Sequence, residues 1–256
     1  MNIDKKKFVA IIPARFASTR FPGKPLAKIG DMSMIQRVVR QASLVLDEVY
    51  VATDSDEIYN HVTSFGGKAI MTSSDHKSGT DRIAEAYIKS GSKAEVVINV
   101  QGDEPFIAPS QIEELCKQFD DVRTEIATLV MPFRKEDGLA ALENPNSPKV
   151  VLSPDSFALY FSRSVIPYLR GTDKSEWLDK QVFYKHIGIY SYKSEVRAQV
   201  TKLPQTFNEK SESLEQLRWL DNGYRIKVGL TNLQTIGIDT PEDLEKANNF
   251  LKSLEK

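Results

Sequence analysis

Positions 13 to 26 read Pro-Ala-Arg-Phe-Ala-Ser-Thr-Arg-Phe-Pro-Gly-Lys-Pro-Leu, a loop with three cations, Arg15, Arg20 and Lys24. It follows an apolar run, Phe8-Val9-Ala10-Ile11-Ile12, that predicts a buried first strand. Ligands of open α/β sheets bind at the carboxyl ends of strands. Fixed cations and backbone N–H groups at such an end can hold a polyphosphate. A solvated basic loop between a strand and a helix would read the same way. Two familiar phosphate signatures are missing. No G-x-x-x-x-G-K-[ST] exists here, because residue 28 is Lys, and no G-x-G-x-x-G follows the first strand. P-loop and dinucleotide-fold readings lose their main sequence support.

Two carboxylates extend the chemistry. Asp103, in Gln101-Gly102-Asp103-Glu104-Pro105, ends a strand predicted at 95–100. Asp239 stands in Ile236-Gly237-Ile238-Asp239-Thr240-Pro241, just before the last helix. Magnesium takes one or two carboxylates plus phosphate oxygens, so the pair could share one ion. Read separately, Asp103 is a turn carboxylate and Asp239 a helix cap. The segment 71–82 carries hydroxyls, Asp75, Asp81 and Arg82. It could read a nucleobase edge, or serve as turn and cap chemistry with Thr80 as N-cap. Arg163 lies in a strand-like segment, and His186 and Tyr190 are four apart, which puts both on one strand face. Such a face can bind sugar hydroxyls or simply pack. Glu215 could pair along a helix with Arg218.

The elements that must position these residues alternate at first. Ser33 with Gln36 predicts a capping box and a helix burying Ile35, Val38, Val39, Ala42, Val45 and Leu46. A strand at 48–53, a helix near 56–65, a short strand at 68–71, a helix around 81–90 and a strand at 95–100 follow. Ser110 with Glu113 is expected to cap the next helix, around a buried Cys116. This order implies an α/β fold with a mostly parallel, Rossmann-like sheet. The middle changes character, with strands predicted at 125–131, 150–162 and 186–192 and polar loops at 134–149 and 170–182. Helical periodicity returns at 213–222 and 241–254, the latter with Thr240 as N-cap and Pro241 at N1. One domain is expected, with a β-rich insertion at about 125–205 that carries sugar binding or a subunit interface.

Composition narrows the function classes. The 256 residues include 34 basic and 35 acidic side chains, a formal charge of −1. Nothing global points to nucleic acid or an anionic membrane. One cysteine excludes an internal disulfide and a cysteine-rich metal site. No apolar run approaches the ~20 residues of a membrane span, and residues 1–7 lack the apolar region of a signal peptide. The expectation is a soluble cytoplasmic protein.

Together, the blocks PARFASTRFPGKPL (13–26), YVATDSDEI (50–58), SSDHKSGTDR (73–82), INVQGDEP (98–105), YFSRSVIPY (160–168), HIGIYSY (186–192), ESLEQLRWL (212–220) and IDTPEDLE (238–245) resemble the 3-deoxy-manno-octulosonate (Kdo) cytidylyltransferases. The resemblance covers nearly the whole chain. It implies a GT-A-like nucleotidyltransferase fold, usually a homodimer, that uses CTP and Mg²⁺ to make CMP-Kdo and diphosphate for lipopolysaccharide biosynthesis. By the same resemblance, Arg15, Ser18 and Lys24 contact the nucleotide and its phosphates, Arg82 lies near the nucleotide, and Asp103 and Asp239 bind metal. Gln101, Arg163, His186, Tyr190 and Glu215 surround the sugar acid. The loop containing Ser78 and Asp81, with the backbone near Ala14, would select cytosine. Lys24, Asp103 and Asp239 are the expected catalytic residues. Phe16 stands where the family usually has Tyr, and Val165 where Pro is common. The same chemistry on 8-amino-Kdo or a sialic acid, and a nucleotide-binding module without catalysis, are the rival readings.

Overall fold

The computed structural model describes residues 3–17, 20–76, 79–234 and 237–254. Residue contacts divide the chain into two compact units. One comprises the described residues of Met1–Glu113, Lys193–Thr201 and Thr235–Lys256, the other Glu114–Tyr192 and Lys202–Gln234.

In the first unit, strand β1 (Phe8–Ala14) is buried along almost its whole length, as an apolar run without alternation requires. The hairpin β2 (Lys28–Ile29) and β3 (Met32–Ser33) leads into helix α1 (Met34–Ser43). The Ser33 hydroxyl accepts the Gln36 N–H, the N-cap half of the expected capping box, and the predicted apolar face of α1 is buried. Strand β4 (Val49–Thr53), α2 (Asp56–Ser64), β5 (Lys68–Met71), α3 (Gly79–Ser90), β6 (Val96–Asn99) and α4 (Pro109–Lys117) complete the alternation. The four long strands run parallel in the order β6-β1-β4-β5. Val9, Ile11, Ala52, Ile83, Ala86 and Val97 form a core between this sheet and α3. Because the chain adds strands on one side of β1 and then crosses to the other, the switch point lies between β1 and β6. The loops leaving their carboxyl ends diverge there and open a crevice.

Two caps differ from expectation. Helix α3 starts at Gly79, so Thr80 lies inside its first turn with its side chain in the core. Helix α4 starts with Pro109, which is preorganised for N1. Its capping contact runs from the Ala108 N–H to Gln111 Oε1 at 3.0 Å rather than through Ser110.

In the second unit, β7 (Ile126–Pro132) precedes α5 (Gly138–Glu143), β8 (Lys149–Leu152), β9 (Ala158–Ser162), α6 (Trp177–Lys180) and β10 (Tyr184–Lys193). The segment expected as one strand at 150–162 is an antiparallel pair, β8 and β9, separated by a turn with Ser156 at φ 61°. The polar stretches expected as loops hold α5 and α6, because Leu142 and Trp177 fold in against Phe133 and Phe183. Helix α7 (Ser194–Val200) returns to the first unit, and α8 (Phe207–Glu212), α9 (Glu215–Asp221) and β11 (Ile226–Leu230) belong to the second. Strand β7 pairs parallel with β11 and antiparallel with β10.

The last helix, α10 (Pro241–Leu254), opens with a reciprocal cap. The Thr240 hydroxyl accepts the Asp243 N–H, and Asp243 Oδ2 accepts the Thr240 N–H, both at 3.2 Å. Ile238 and Ala247 pack with Ile29 and Met34, and Asn248 Oδ1 accepts the Gly30 N–H at 3.0 Å. This helix therefore docks on the β2–β3 hairpin of its own unit.

Candidate active site

Lys24 opens a short 3-10 turn, Lys24–Leu26, directly after Gly23, whose φ of 70° few other residues adopt. The Gly23 N–H closes the loop on the Phe16 carbonyl at 2.9 Å. This geometry sends Lys24 back over the carboxyl end of β1. Its Nζ lies 2.7 Å from Asp103 Oδ2 and 3.2 Å from Asp239 Oδ1. Arg20 reaches Asp239 Oδ2 at 3.2 Å. Asp103 arrives on the loop after β6, pressed so close to the first loop that a Cβ on Gly102 would lie 2.7 Å from the Pro13 carbonyl. Asp239 arrives from the other end of the sequence. The Ile238 N–H donates to the Asp103 carbonyl at 3.0 Å and locks the two acidic segments side by side.

The crevice is a cavity of about 350 Å³ lined by Ala14, Arg15, Arg20, Lys24, Gln101 and Asp103, among others. Three cations face it, and two carboxylates converge at its edge on one ammonium. Such a surface can bind a polyanion and, with it, a divalent cation. Arg15 is held at one terminal nitrogen, which donates to the His76 carbonyl at 2.6 Å. Gln101 Nε2 is 3.5 Å from Asn99 Oδ1.

Arg82 is placed differently from a solvent-facing ligand contact. It is wholly buried. Its Nη2 donates to Asp54 Oδ2 at 2.6 Å and its Nη1 to the Thr72 hydroxyl, tying together the loops after β4 and β5. Asp81 stands in the first turn of α3, where a carboxylate favours the helix N-terminus. Ser18 and Ser78 lie outside the described residues.

The remaining predicted residues fall in the second unit. Arg163 follows β9, and three carbonyls accept from its guanidinium: Glu212 from Nε at 2.6 Å, Pro145 from Nη1 at 2.9 Å and Ser213 from Nη2 at 3.3 Å. The Glu212 carboxylate accepts the Arg163 N–H and the Ser162 hydroxyl. The buried Lys149 donates to the Arg163 carbonyl at 2.6 Å, and burial lowers its pKa. Sequence reasoning missed Glu212 and Lys149, since neither spacing nor charge pattern marks a brace around one backbone turn.

His186 and Tyr190 do share a face, although the strand between them is irregular. The register with β7 passes from Ile187↔Leu129 to Tyr190↔Thr128, so the bulge adds two residues and parity survives. Their ring centroids are 5.4 Å apart, and Trp219 meets Tyr190 edge-on at 4.9 Å. The Thr128 hydroxyl donates to the Ile189 carbonyl at 2.8 Å, so its oxygen accepts from His186 Nε2 at 3.1 Å. This network assigns the proton to Nε2 and leaves Nδ1 as an acceptor. Burial pushes the His186 pKa down to about 3 and that of Tyr190 well up. Tyr190 Oη, Gln216 Nε2 and Trp219 Nε1 are buried without hydrogen-bond partners, a set that marks Gln216 and Trp219 as candidates beside the predicted ones. Glu215 opens α9. Its expected partner Arg218 is 3.4 Å away but is gripped at 2.8 and 2.6 Å by Glu209, so the i,i+3 pair is secondary.

Known proteins carry the same plan. A family model described as cytidylyltransferase matches residues 9–226. The chain is 59% identical over 246 residues to a 3-deoxy-manno-octulosonate cytidylyltransferase of Parabacteroides distasonis, covering 96% of this chain and 98% of that one. It is 58% identical over 249 residues to the protein of that name from Phocaeicola vulgatus, covering 97% and 99%. A solved CMP:2-keto-3-deoxy-manno-octonic acid synthetase in complex with CTP superimposes with a TM-score of 0.88 at 42% identity, covering 97% of this chain and 99% of that one. The parallel sheet, the crevice at its switch point and these matches over nearly the whole length lead to one assignment: the chain belongs to the 3-deoxy-manno-octulosonate cytidylyltransferase family.

Proposed function

We propose that this chain moves CMP from CTP to the C2 hydroxyl of Kdo and releases diphosphate. The observation that carries the reading is the convergence of Asp103 and Asp239 on Lys24 at the carboxyl edge of β1 and β6. Arg15, Arg20 and Lys24 supply the positive field that a triphosphate needs. Lys24 is the best placed to stabilise charge that develops on the phosphates as diphosphate leaves. Nucleotidyl transfer of this kind is positioning and charge stabilisation, so no enzyme nucleophile is required.

Two carboxylates that already share one cation within 3.2 Å fit a magnesium ion. Among the described residues no group of three or more His, Cys, Asp or Glu side chains forms a closed cage. The donor set is then two protein oxygens completed by phosphate oxygens, which magnesium accepts. Bound there by Asp103 and Asp239, it would lower the pKa of an incoming hydroxyl and neutralise the α-phosphate. For the sugar acid, Arg163 has two N–H groups left after its three carbonyl bonds, the number a bidentate carboxylate contact uses. His186 Nδ1, Tyr190 Oη and Glu215 offer acceptors and a donor for hydroxyls. Ala14, Asp81 and Arg82 belong to the nucleotide side of this reading, Arg82 through the loops it ties.

The reading extends to a homodimer formed through the second unit, where Leu159, Val182 and Leu230 are more than half exposed. It also places the enzyme in the cytoplasm, supplying activated Kdo for lipopolysaccharide. Among the described residues no helix is long and apolar enough to cross a membrane. The test is chromatography of diphosphate and CMP-sugar formed from CTP with Kdo, 8-amino-Kdo or a sialic acid, with and without Mg²⁺. Kdo-dependent diphosphate release is expected. Faster turnover of either rival sugar, or none with Kdo, overturns the reading.

A further inference from the structure

We infer that Glu85 is a positioning residue for the nucleotide site, acting through the backbone of His76 on Arg15. The inference rests on the reading of Arg15 as a nucleotide contact. Glu85 sits on α3 and does not line the crevice, yet its carboxylate gathers the loop after β5. Oε2 accepts the Ser73 N–H at 2.9 Å and the His76 Nε2–H. Oε1 accepts from Lys89 Nζ at 2.6 Å, one helical turn on. A carboxylate only accepts, so His76 must carry its proton on Nε2.

The held loop passes the constraint on. The His76 carbonyl accepts from an Arg15 terminal nitrogen at 2.6 Å. Arg15 has a long side chain that loses rotamer entropy whenever it is fixed. An acceptor already clamped by a helix fixes it before the ligand arrives, which is how preorganisation raises affinity. The clamp also stays charged at any working pH, because the Lys89 and Ser73 hydrogen bonds hold the Glu85 carboxyl down to about 2. A simple i,i+4 ion pair with Lys89 would explain Oε1 but not why Oε2 faces two groups of the loop.

Four proteins test this: Glu85→Ala, Glu85→Gln, Arg15→Ala and the double variant Glu85→Ala/Arg15→Ala. For Glu85→Ala the KM for CTP is expected to rise about tenfold, with kcat and the KM for Kdo within twofold of wild type. Glu85→Gln keeps one acceptor and is expected in between. It also provides the measurement if the alanine variant does not fold. Since Glu85 works through Arg15, the double variant should bind CTP no worse than Arg15→Ala alone. Additive losses in the double variant overturn the inference. So does an unchanged KM for CTP in both Glu85 variants while Arg15→Ala raises it. If Arg15→Ala itself leaves CTP binding unchanged, it is the underlying reading of Arg15 that has failed.

Discussion

Replacing Arg82 by Met tests whether this residue is a staple of the sheet edge or a ligand of the nucleotide. The guanidinium has no solvent exposure and joins Asp54 on one loop to Thr72 on the next. Met keeps the apolar volume and removes the charge. The Asp54 carboxylate, with 19% of its side chain exposed, then loses its partner in a setting that solvates it poorly. Breaking a buried pair from one side costs about 3–5 kcal/mol. The residual exposure of Asp54 puts this case at the lower end, about 3 kcal/mol. With a urea slope of about 3 kcal/mol/M, the unfolding midpoint should fall by about 1 M. The assay is urea unfolding of Arg82→Met, Asp54→Asn and the double variant, followed by circular dichroism. The double variant should recover part of the loss, since it leaves no unpaired charge. An unchanged midpoint for Arg82→Met with a several-fold rise in the KM for CTP would refute the staple and return Arg82 to direct nucleotide contact.

Three further outcomes follow from the described geometry. Burial depresses the His186 pKa from 6.5 to about 3, so the native chain resists a proton that the unfolded chain accepts. Its stability contribution is complete above pH 6.5 and is lost as pH falls through that value toward 3. The loss reaches about 2 kcal/mol at pH 5, a ceiling because part of the residue meets solvent. Thermal unfolding of wild type and His186→Asn between pH 7 and 5 should show the slope flatten in the variant, and parallel slopes would disprove the linkage. Lys24→Met should lower kcat/KM for CTP by roughly 2–4 kcal/mol in activation free energy. It should also tighten Mn²⁺ binding in the absence of CTP, read by electron paramagnetic resonance, because Asp103 loses its ammonium partner and Asp239 keeps only Arg20. Weaker Mn²⁺ binding would show that Lys24 supports the metal rather than occupying its place. Arg163→Lys should raise the KM for Kdo and spare that for CTP, because Lys lacks the planar fork. A shift in the CTP constant instead would move Arg163 to the other substrate.

Much of the first unit was legible. The apolar runs at 8–12 and 95–100 are β1 and β6, and the Ser33 and Thr240 caps are where pattern placed them. Local chemistry fixes such features, so sequence records them. Caps that compete with packing were not legible: Thr80 went into the core and Pro109 displaced Ser110 as the start of α4. In the candidate site, Lys24, Asp103 and Asp239 could be named because each follows a recognisable boundary. Their meeting could not be derived, because it depends on the Ile238–Asp103 backbone bond across the whole chain. Arg82 shows the converse. Its charge and loop position look like ligand chemistry, whereas its burial against Asp54 and Thr72 depends on two distant loops and is not written in the local sequence.

The delivery of Asp239 by the segment that caps α10 has a consequence for biosynthesis. Lys24 and Asp103 leave the ribosome early, whereas Asp239 is held in place by a helix that ends only at Leu254. While that helix remains in the exit tunnel, a nascent chain can form the parallel sheet but cannot pair its two acidic segments. The acidic pair therefore forms only once α10 has emerged, later than the sheet that carries Lys24 and Asp103, and a product of premature termination before Asp239 would lack one member of the pair.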